Sequence, residues 1–238
     1  VVVAAYDPSW APLEYTDTET GMFSGVTSDL LSTFSRYTGL RFRFEPIDQA
    51  EALEKVKKGL IDMVCSVTGD YLWDERNKMY TTRYYLRAPT MLVRTKQPHT
   101  IERIALQGGY WFSEHVAADH PGKEIIFYKN VRECFDALLK GDADAVYANV
   151  YVTNYLLTER RYESLAATSM SKYTSEICFG ISKCADPRLL SILDKCIQYT
   201  APERMDELVL KNTTKPRQHI GEKLFMARHI NKPEHFLF

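Results

Sequence analysis

Apolar and polar positions along the chain alternate between two periods, one of strands and one of helices. Val1-Val2-Val3-Ala4-Ala5-Tyr6 is a continuous apolar run of strand length, the pattern of a strand covered on both faces. Asp7-Pro8-Ser9-Trp10-Ala11-Pro12 breaks it into a loop, because two prolines and an Asp block regular structure. Leu13-Glu14-Tyr15 and a polar turn from Thr16 to Gly21 follow. Val26, Leu30, Leu31, Phe34 and Tyr37 then recur at helical spacing, with Thr27 or Ser28 near the start and Gly39 as the stop. Arg41-Phe-Arg-Phe-Glu45 alternates as a strand does.

The next pattern occurs twice. Glu51-Ala-Leu-Glu-Lys-Val-Lys-Lys-Gly-Leu-Ile-Asp-Met-Val-Cys-Ser-Val67 returns 82 residues later as Glu133-Cys-Phe-Asp-Ala-Leu-Leu-Lys-Gly-Asp-Ala-Asp-Ala-Val-Tyr-Ala-Asn149, with Glu, Lys, Gly, Asp and Val in register. Each copy reads as a helix with one apolar face (Leu53 and Val56; Phe135, Leu138 and Leu139). A basic last turn suits the negative end of the helix dipole, and Gly59 or Gly141 ends the helix. A buried strand follows, Met63-Val64-Cys65 or Ala145-Val146-Tyr147. Two helix–Gly–x–x–Asp–strand units predict two similar α/β lobes. In open α/β sheets ligands sit beyond the carboxyl ends of the strands, which directs attention to Ser66, Val67 and Thr68 after the first strand and Ala148, Asn149 and Val150 after the second.

The polar and aromatic stretch from Thr68 to Arg76 has no clean period and is expected to be a loop. Tyr80 to Tyr85 and Ala88 to Val93 read as extended. The pattern then starts over: strand Ile104 to Gln107, Gly108-Gly109, a helix from Trp111 to Ala118, strand Ile125 to Tyr128, the second copy, and a helix near Val150 to Leu157. Ile177 to Ser182 is a further strand. Pro187 to Tyr199 and Pro202 to Leu210 are helices with proline at or near the first turn, where it fits best. This order places residues 1–91 and 179–212 in lobe 1 and residues 92–178 in lobe 2, with two crossings as the hinge. The segment 213–238 lacks a period and reads as an ordered extension, a linker to a further domain, or a fusion segment.

Composition changes this picture little. A formal charge of −1 with no basic run argues against nucleic acid or an anionic membrane surface as a general partner. No apolar run reaches the ~18 residues needed to span a bilayer. The abrupt strand-like start reads as a processed protein or an excised domain. The cysteines (Cys65, Cys134, Cys178, Cys184, Cys196) form no C-x-x-C pair, so no zinc site is expected. Cys65 and Cys178 read as buried small hydrophobes, and Cys184 and Cys196 lie on consecutive elements that could meet in a disulfide.

Several short motifs, in colinear order over roughly residues 1 to 212, resemble the bacterial family-3 extracellular solute-binding proteins. These are Asp7-Pro-Ser-Trp-Ala-Pro-Leu-Glu-Tyr15, Gly25-Val-Thr-Ser-Asp-Leu30, Gly59-Leu-Ile-Asp62 followed by Ser66, then Glu75-Arg76 and Tyr84-Tyr85. Leu106-Gln-Gly-Gly109, Phe179-Gly-Ile-Ser-Lys183 and Asp186-Pro187 continue the match. The resemblance implies an α/β, two-lobed type II periplasmic-binding-protein fold, a venus flytrap with two strand crossovers as its hinge. It also implies roles. Arg76 is similar to the arginine that pairs with a ligand carboxylate, a task suited to a planar guanidinium. Ser66 and Thr68 resemble the family's hydroxyl donors, and Trp10 the aromatic that stacks on the ligand. Tyr110 and Trp111 stand at a helix start where relatives carry small Ser or Thr residues. The residues themselves leave other readings open: Arg76 as a surface charge paired with Glu75 or Asp74, Trp10 as a core side chain, Tyr110 and Trp111 as filling for lobe 2.

Asn149 departs from the family pattern, which usually has Asp there to hold an ammonium group. Asn carries no charge and also donates, so the usual complement for an α-amino group is weakened unless Glu14 or Asp70 supplies it. The interval from Asp62 to Arg76 is also longer than the family's, which implies a reshaped loop over the ligand. The expected function is extracytoplasmic binding of a small carboxylate-bearing ligand (an amino acid or related) in a closing inter-lobe cleft. No cofactor is expected. The partner would be a membrane signalling protein whose sensor domain this is, or an ABC transporter permease. Two other readings stand beside it. An enzyme on the same fold would need an acid–base pair in the cleft, for which Glu14, Asp70, Asp74 and Glu75 qualify by location. A ligand-free interaction module would keep the lobes and no working cleft.

Overall fold

A computed structural model describes residues 1–97 and 100–214. The first part of the chain runs β1 (Val2–Tyr6), β2 (Ser9–Trp10), β3 (Glu14–Thr16), β4 (Phe23–Ser24), α1 (Val26–Thr38), β5 (Phe42–Pro46), α2 (Gln49–Lys57) and β6 (Met63–Val67). It continues through α3 (Tyr71–Arg76), β7 (Met79–Thr81) and β8 (Leu86–Thr95). The second part is β9 (Arg103–Gln107), α4 (Trp111–Asp119), β10 (Glu124–Tyr128), α5 (Val131–Lys140), β11 (Ala145–Asn149) and α6 (Val150–Leu156). After a 3-10 turn at Arg160–Tyr162 come β12 (Leu165–Ser182), α7 (Arg188–Tyr199) and a helical stretch over residues 202–214.

The strands order as β10-β9-β11-β8-β12-β6-β1-β5, with β7 on β12, and β2-β3-β4 form a separate small sheet. Two equivalent halves are visible in that order. β5, β1 and β6 are parallel and are flanked by antiparallel β12; β10, β9 and β11 are parallel and are flanked by antiparallel β8. β8 and β12 pair with each other from Leu86↔Ile177 to Thr95↔Leu165, and from Cys178 onward β12 pairs with β6 and β7 instead. These long strands are the two crossings that join the lobes. Residue 91 lies inside β8, and β12 changes partner at Cys178.

The repeated sequence occupies equivalent places, and its Asp has a structural reason. Asp62 precedes β6 and its Oδ2 accepts the backbone N–H of Val3 at 2.7 Å. Asp144 precedes β11 and its Oδ2 accepts from Arg103 N at 2.8 Å and Glu102 N at 3.0 Å, while Oδ1 takes the Arg103 guanidinium at 3.0 Å. Each carboxylate thus satisfies backbone donors at the start of its lobe's central strand. Gly59 (φ 66°) and Gly141 (φ 76°) supply the left-handed turn that leads from helix to Asp.

Three expectations are corrected. The stretch 68–76 is not all loop: Asp70 caps α3 by accepting from Trp73 N at 2.8 Å, and Trp73 is buried as its anchor. β12 begins at Leu165, well before Ile177, because its first half pairs with β8. Cys184 and Cys196 are free thiols, one exposed and one partly exposed, and no disulfide joins them. The extension assigned to 213–238 lies outside the described residues beyond Thr214. Among the described residues no helix is long and apolar enough to cross a membrane.

Candidate functional site

The carboxyl ends of the parallel strands from both lobes converge on one gap. The segment after β1 brings Asp7 and Trp10, the end of β6 brings Thr68, the end of β9 brings Gln107, and the end of β11 brings Asn149. In this structure the gap is shut. What remains is a cavity of about 30 Å³ lined by Trp10, Thr68, Gln107, Tyr110, Asn149 and Ser175, among others. Pockets that enclose small ligands run to about 300–1,000 Å³, so this space is far smaller than such a pocket.

Side chains of the two lobes close it on each other. The Trp10 and Tyr110 rings stack with centroids 5.3 Å apart and planes at 16°. Gln107 Nε2 donates to Asp7 Oδ2 at 2.7 Å. At the rim, Arg76 Nη2 donates to Glu114 Oε2 at 2.7 Å, Trp111 Nε1 to Asp70 Oδ2 at 3.2 Å, and Lys129 Nζ lies 3.2 Å from Asp48 Oδ2. The backbones also meet: a Cβ at Gly109 would stand 3.0 Å from Ala50 N, closer than a side chain there allows without a shift. The largest apolar cluster therefore runs unbroken from lobe 1 (Trp10, Leu13) into lobe 2 (Tyr110, Val131).

Each sequence-predicted residue has a definite place. Trp10 and Tyr110 are buried in the gap against each other. Thr68 Oγ1 and Tyr110 OH are buried with no hydrogen-bond partner, and both residues line the cavity. Asn149 lines it too, but its Oδ1 caps α6 by accepting from Tyr151 N at 3.1 Å and Val152 N at 3.0 Å. The Asp-to-Asn departure thus leaves the cap intact and removes only the charge. Ser66 is turned into lobe 1, where its hydroxyl donates to Glu14 Oε1 and lies 2.9 Å from Tyr85 OH. Trp111 sits at the rim, stacked on His115 at 5.0 Å. Arg76 is at the mouth with its side chain 62% exposed, and its carboxylate partner there is Glu114 rather than Glu75 or Asp74.

Beneath the gap lies a buried acidic pair. Glu14 Oε2 accepts the Asp7 N–H at 2.9 Å, and Asp7 Oδ1 accepts from Ser9 N at 2.9 Å and Ser9 Oγ at 2.6 Å. Burial raises the Glu14 carboxyl to about 8 and the nearby Asp7 charge adds to this, while hydrogen bonds from Ser66, Asp7 and Thr27 work against it. Burial also raises Asp7, opposed by its bonds from Ser9 and Gln107. The other acid–base candidates have structural partners: Asp70 caps α3, Asp74 accepts from Thr81 Oγ1 at 2.6 Å, and Glu75 pairs with Lys183. Among the described residues no group of His, Cys, Asp and Glu is arranged to hold a metal. Sequence reasoning missed Glu114 and Ser175. Glu114 was legible in principle, since it lies one helical turn beyond Tyr110 on the same face; nothing local marks Ser175.

Comparison with known proteins agrees with this architecture. The sequence profile of "Bacterial extracellular solute-binding proteins, family 3" matches residues 2–212. A search of curated proteins finds no match. Among solved structures, the Bordetella pertussis BvgS periplasmic VFT2 domain superposes with a TM-score of 0.78 at 20% identity, covering 88% of this chain and 92% of that one. An ancestral arginine-binding protein bound to arginine gives 0.77 at 18% identity, covering 88% and 96%. A histidine kinase sensor domain similar to periplasmic binding proteins gives 0.76 at 16% identity, covering 90% and 95%. At these identities the likeness establishes the shared fold.

Proposed function

Since the chain belongs to the family-3 bacterial extracellular solute-binding proteins, we propose that it is an extracytoplasmic binding module that takes a small carboxylate-bearing ligand between its lobes, serves a membrane signalling protein as its sensor, and carries out no catalysis. The observation that carries this reading is the buried, unpartnered hydroxyl of Thr68 on the inter-lobe cavity. A buried polar atom without a partner costs roughly 1–3 kcal/mol, and a gap lined by one is built to be filled. Arg76 at the mouth supplies the fork a carboxylate needs. The sensor role is supported by one of the solved neighbours, a histidine kinase sensor domain. Catalysis is disfavoured because the acid–base candidates each have a structural partner.

A ligand enters such a site by way of an open form, and it shifts the balance only by its differential affinity for the two forms. The test is thermal denaturation across a panel of amino acids and small carboxylates. At a hundredfold over the dissociation constant, a ligand stabilises by ~2.7 kcal/mol, and Arg76→Ala is expected to abolish the shift. A shift retained in that variant removes Arg76 from the site. No shift with any compound would instead favour a second reading, a closed interaction module without a small ligand, for which the Trp10–Tyr110 stack already speaks.

A further inference from the structure

The start of α4 places two side chains on lobe 1 that together have the chemistry of a ligand. Tyr110 is the N-cap residue and Glu114 lies four positions on, so both project to the same side of the helix. The Tyr110 ring lies flat on Trp10, 5.3 Å away, and its hydroxyl has no partner. The Glu114 carboxylate takes the Arg76 guanidinium at 2.7 Å. We propose that this turn of α4 is a tethered competitor: Tyr110 fills the aromatic place on Trp10 and Glu114 the carboxylate place on Arg76, so that the lobes close on the protein's own ligand surrogate. The proposal rests on the reading of the gap as a ligand cleft, and it states how that cleft is regulated.

Two features decide that the surrogate can be displaced. Arg76 and Glu114 are 62% and 49% exposed at the side chain, and an ion pair in that setting is weak and screened by salt. A group held on a short tether acts at an effective concentration of about the millimolar range. A free carboxylate therefore competes only when it also replaces the ring on Trp10. Bare carboxylates and bare rings are excluded, and molecules that combine the two are admitted. The closed form in this account needs no ligand, and a ligand succeeds by exchanging for α4.

The experiment is chemical rescue. In the double variant Tyr110→Ala/Glu114→Gln the surrogate is removed, and 3-(4-hydroxyphenyl)propionate supplies the lost phenol and carboxylate in one molecule. The variant is expected to show faster amide hydrogen exchange over residues 7–13 than wild type, with unchanged circular dichroism. 3-(4-Hydroxyphenyl)propionate should restore protection and bind by calorimetry at least tenfold more tightly than to wild type. Acetate and 4-methylphenol, each half of the probe, should do neither. The single variant Glu114→Gln, which keeps the ring, serves if the double variant folds poorly; it should bind acetate more tightly than wild type does. Equal affinities of wild type and variants for the probe would overturn the tethered competitor while leaving the cleft a ligand site. A variant that opens but is re-closed by no compound would overturn both readings. A variant with wild-type exchange would show that Tyr110 and Glu114 do not hold the lobes, and the proposal would fall.

Discussion

At the scale of single residues, the most telling group is Glu14. Its carboxyl is buried beside another acid and is raised to about 8. Because the folded value lies above the unfolded one, folding takes up a proton in the interval between them. The stability Glu14 contributes is therefore complete below about pH 4.5 and declines as pH rises towards about 8, by on the order of 1 kcal/mol per pH unit for one proton. Urea denaturation between pH 5 and 8 should show that decline. Glu14→Gln, which keeps the shape and cannot ionise, should flatten it; an undiminished slope in the variant would place the proton elsewhere. Glu14 sits in a recognisable Pro-Leu-Glu-Tyr motif, yet its depth was not legible there, since burial comes from Thr27, Ser66, Tyr85 and other residues distant in the chain. The same limit applies to Ser66, read as a donor to ligand and found holding Glu14.

At the scale of elements, legibility was high where a local rule sets the outcome. The helix–Gly–x–x–Asp–strand repeat was visible because periodicity, C-terminal glycine and a buried strand are all local signals, and both copies form the helix and strand as read, although Leu139, assigned to the packed face, is exposed and Tyr147 is only partly buried. What the repeat could not reveal was the purpose of its Asp, which acts on a strand elsewhere in the chain. Asp144 holds two backbone N–H groups and a guanidinium, whereas Asp62 holds one backbone N–H. Asp144→Ala should thus destabilise by about 2 kcal/mol or more, and Asp62→Ala by less, judged from denaturant midpoints. The reverse order would mean that these bonds do not anchor β1 and β9. α3 went unread because it is short, and short helices depend on a cap and one buried anchor rather than a repeating face.

At the scale of the whole molecule, the doubled order of strands and the long β8–β12 crossing join two lobes along a shared seam. The family resemblance anticipated that architecture and directed attention to the gap. It did not anticipate that the gap would be closed by the protein itself, because contacts between α4 and lobe 1 join residues far apart in sequence, such as Arg76 with Glu114 and Asp7 with Gln107. The central claim is that these contacts hold the jaws together with no ligand present. It is tested by pulsed electron–electron distance measurement on exhaustively dialysed protein, with spin labels carried by unnatural amino acids at Lys58 in lobe 1 and Lys140 in lobe 2. Labels on cysteine are unsuitable, since Cys184 is exposed. The account predicts one narrow distance distribution, the same before and after dialysis and broadened to longer distances in Tyr110→Ala/Glu114→Gln. A broad or long distribution in the dialysed wild-type protein would contradict it.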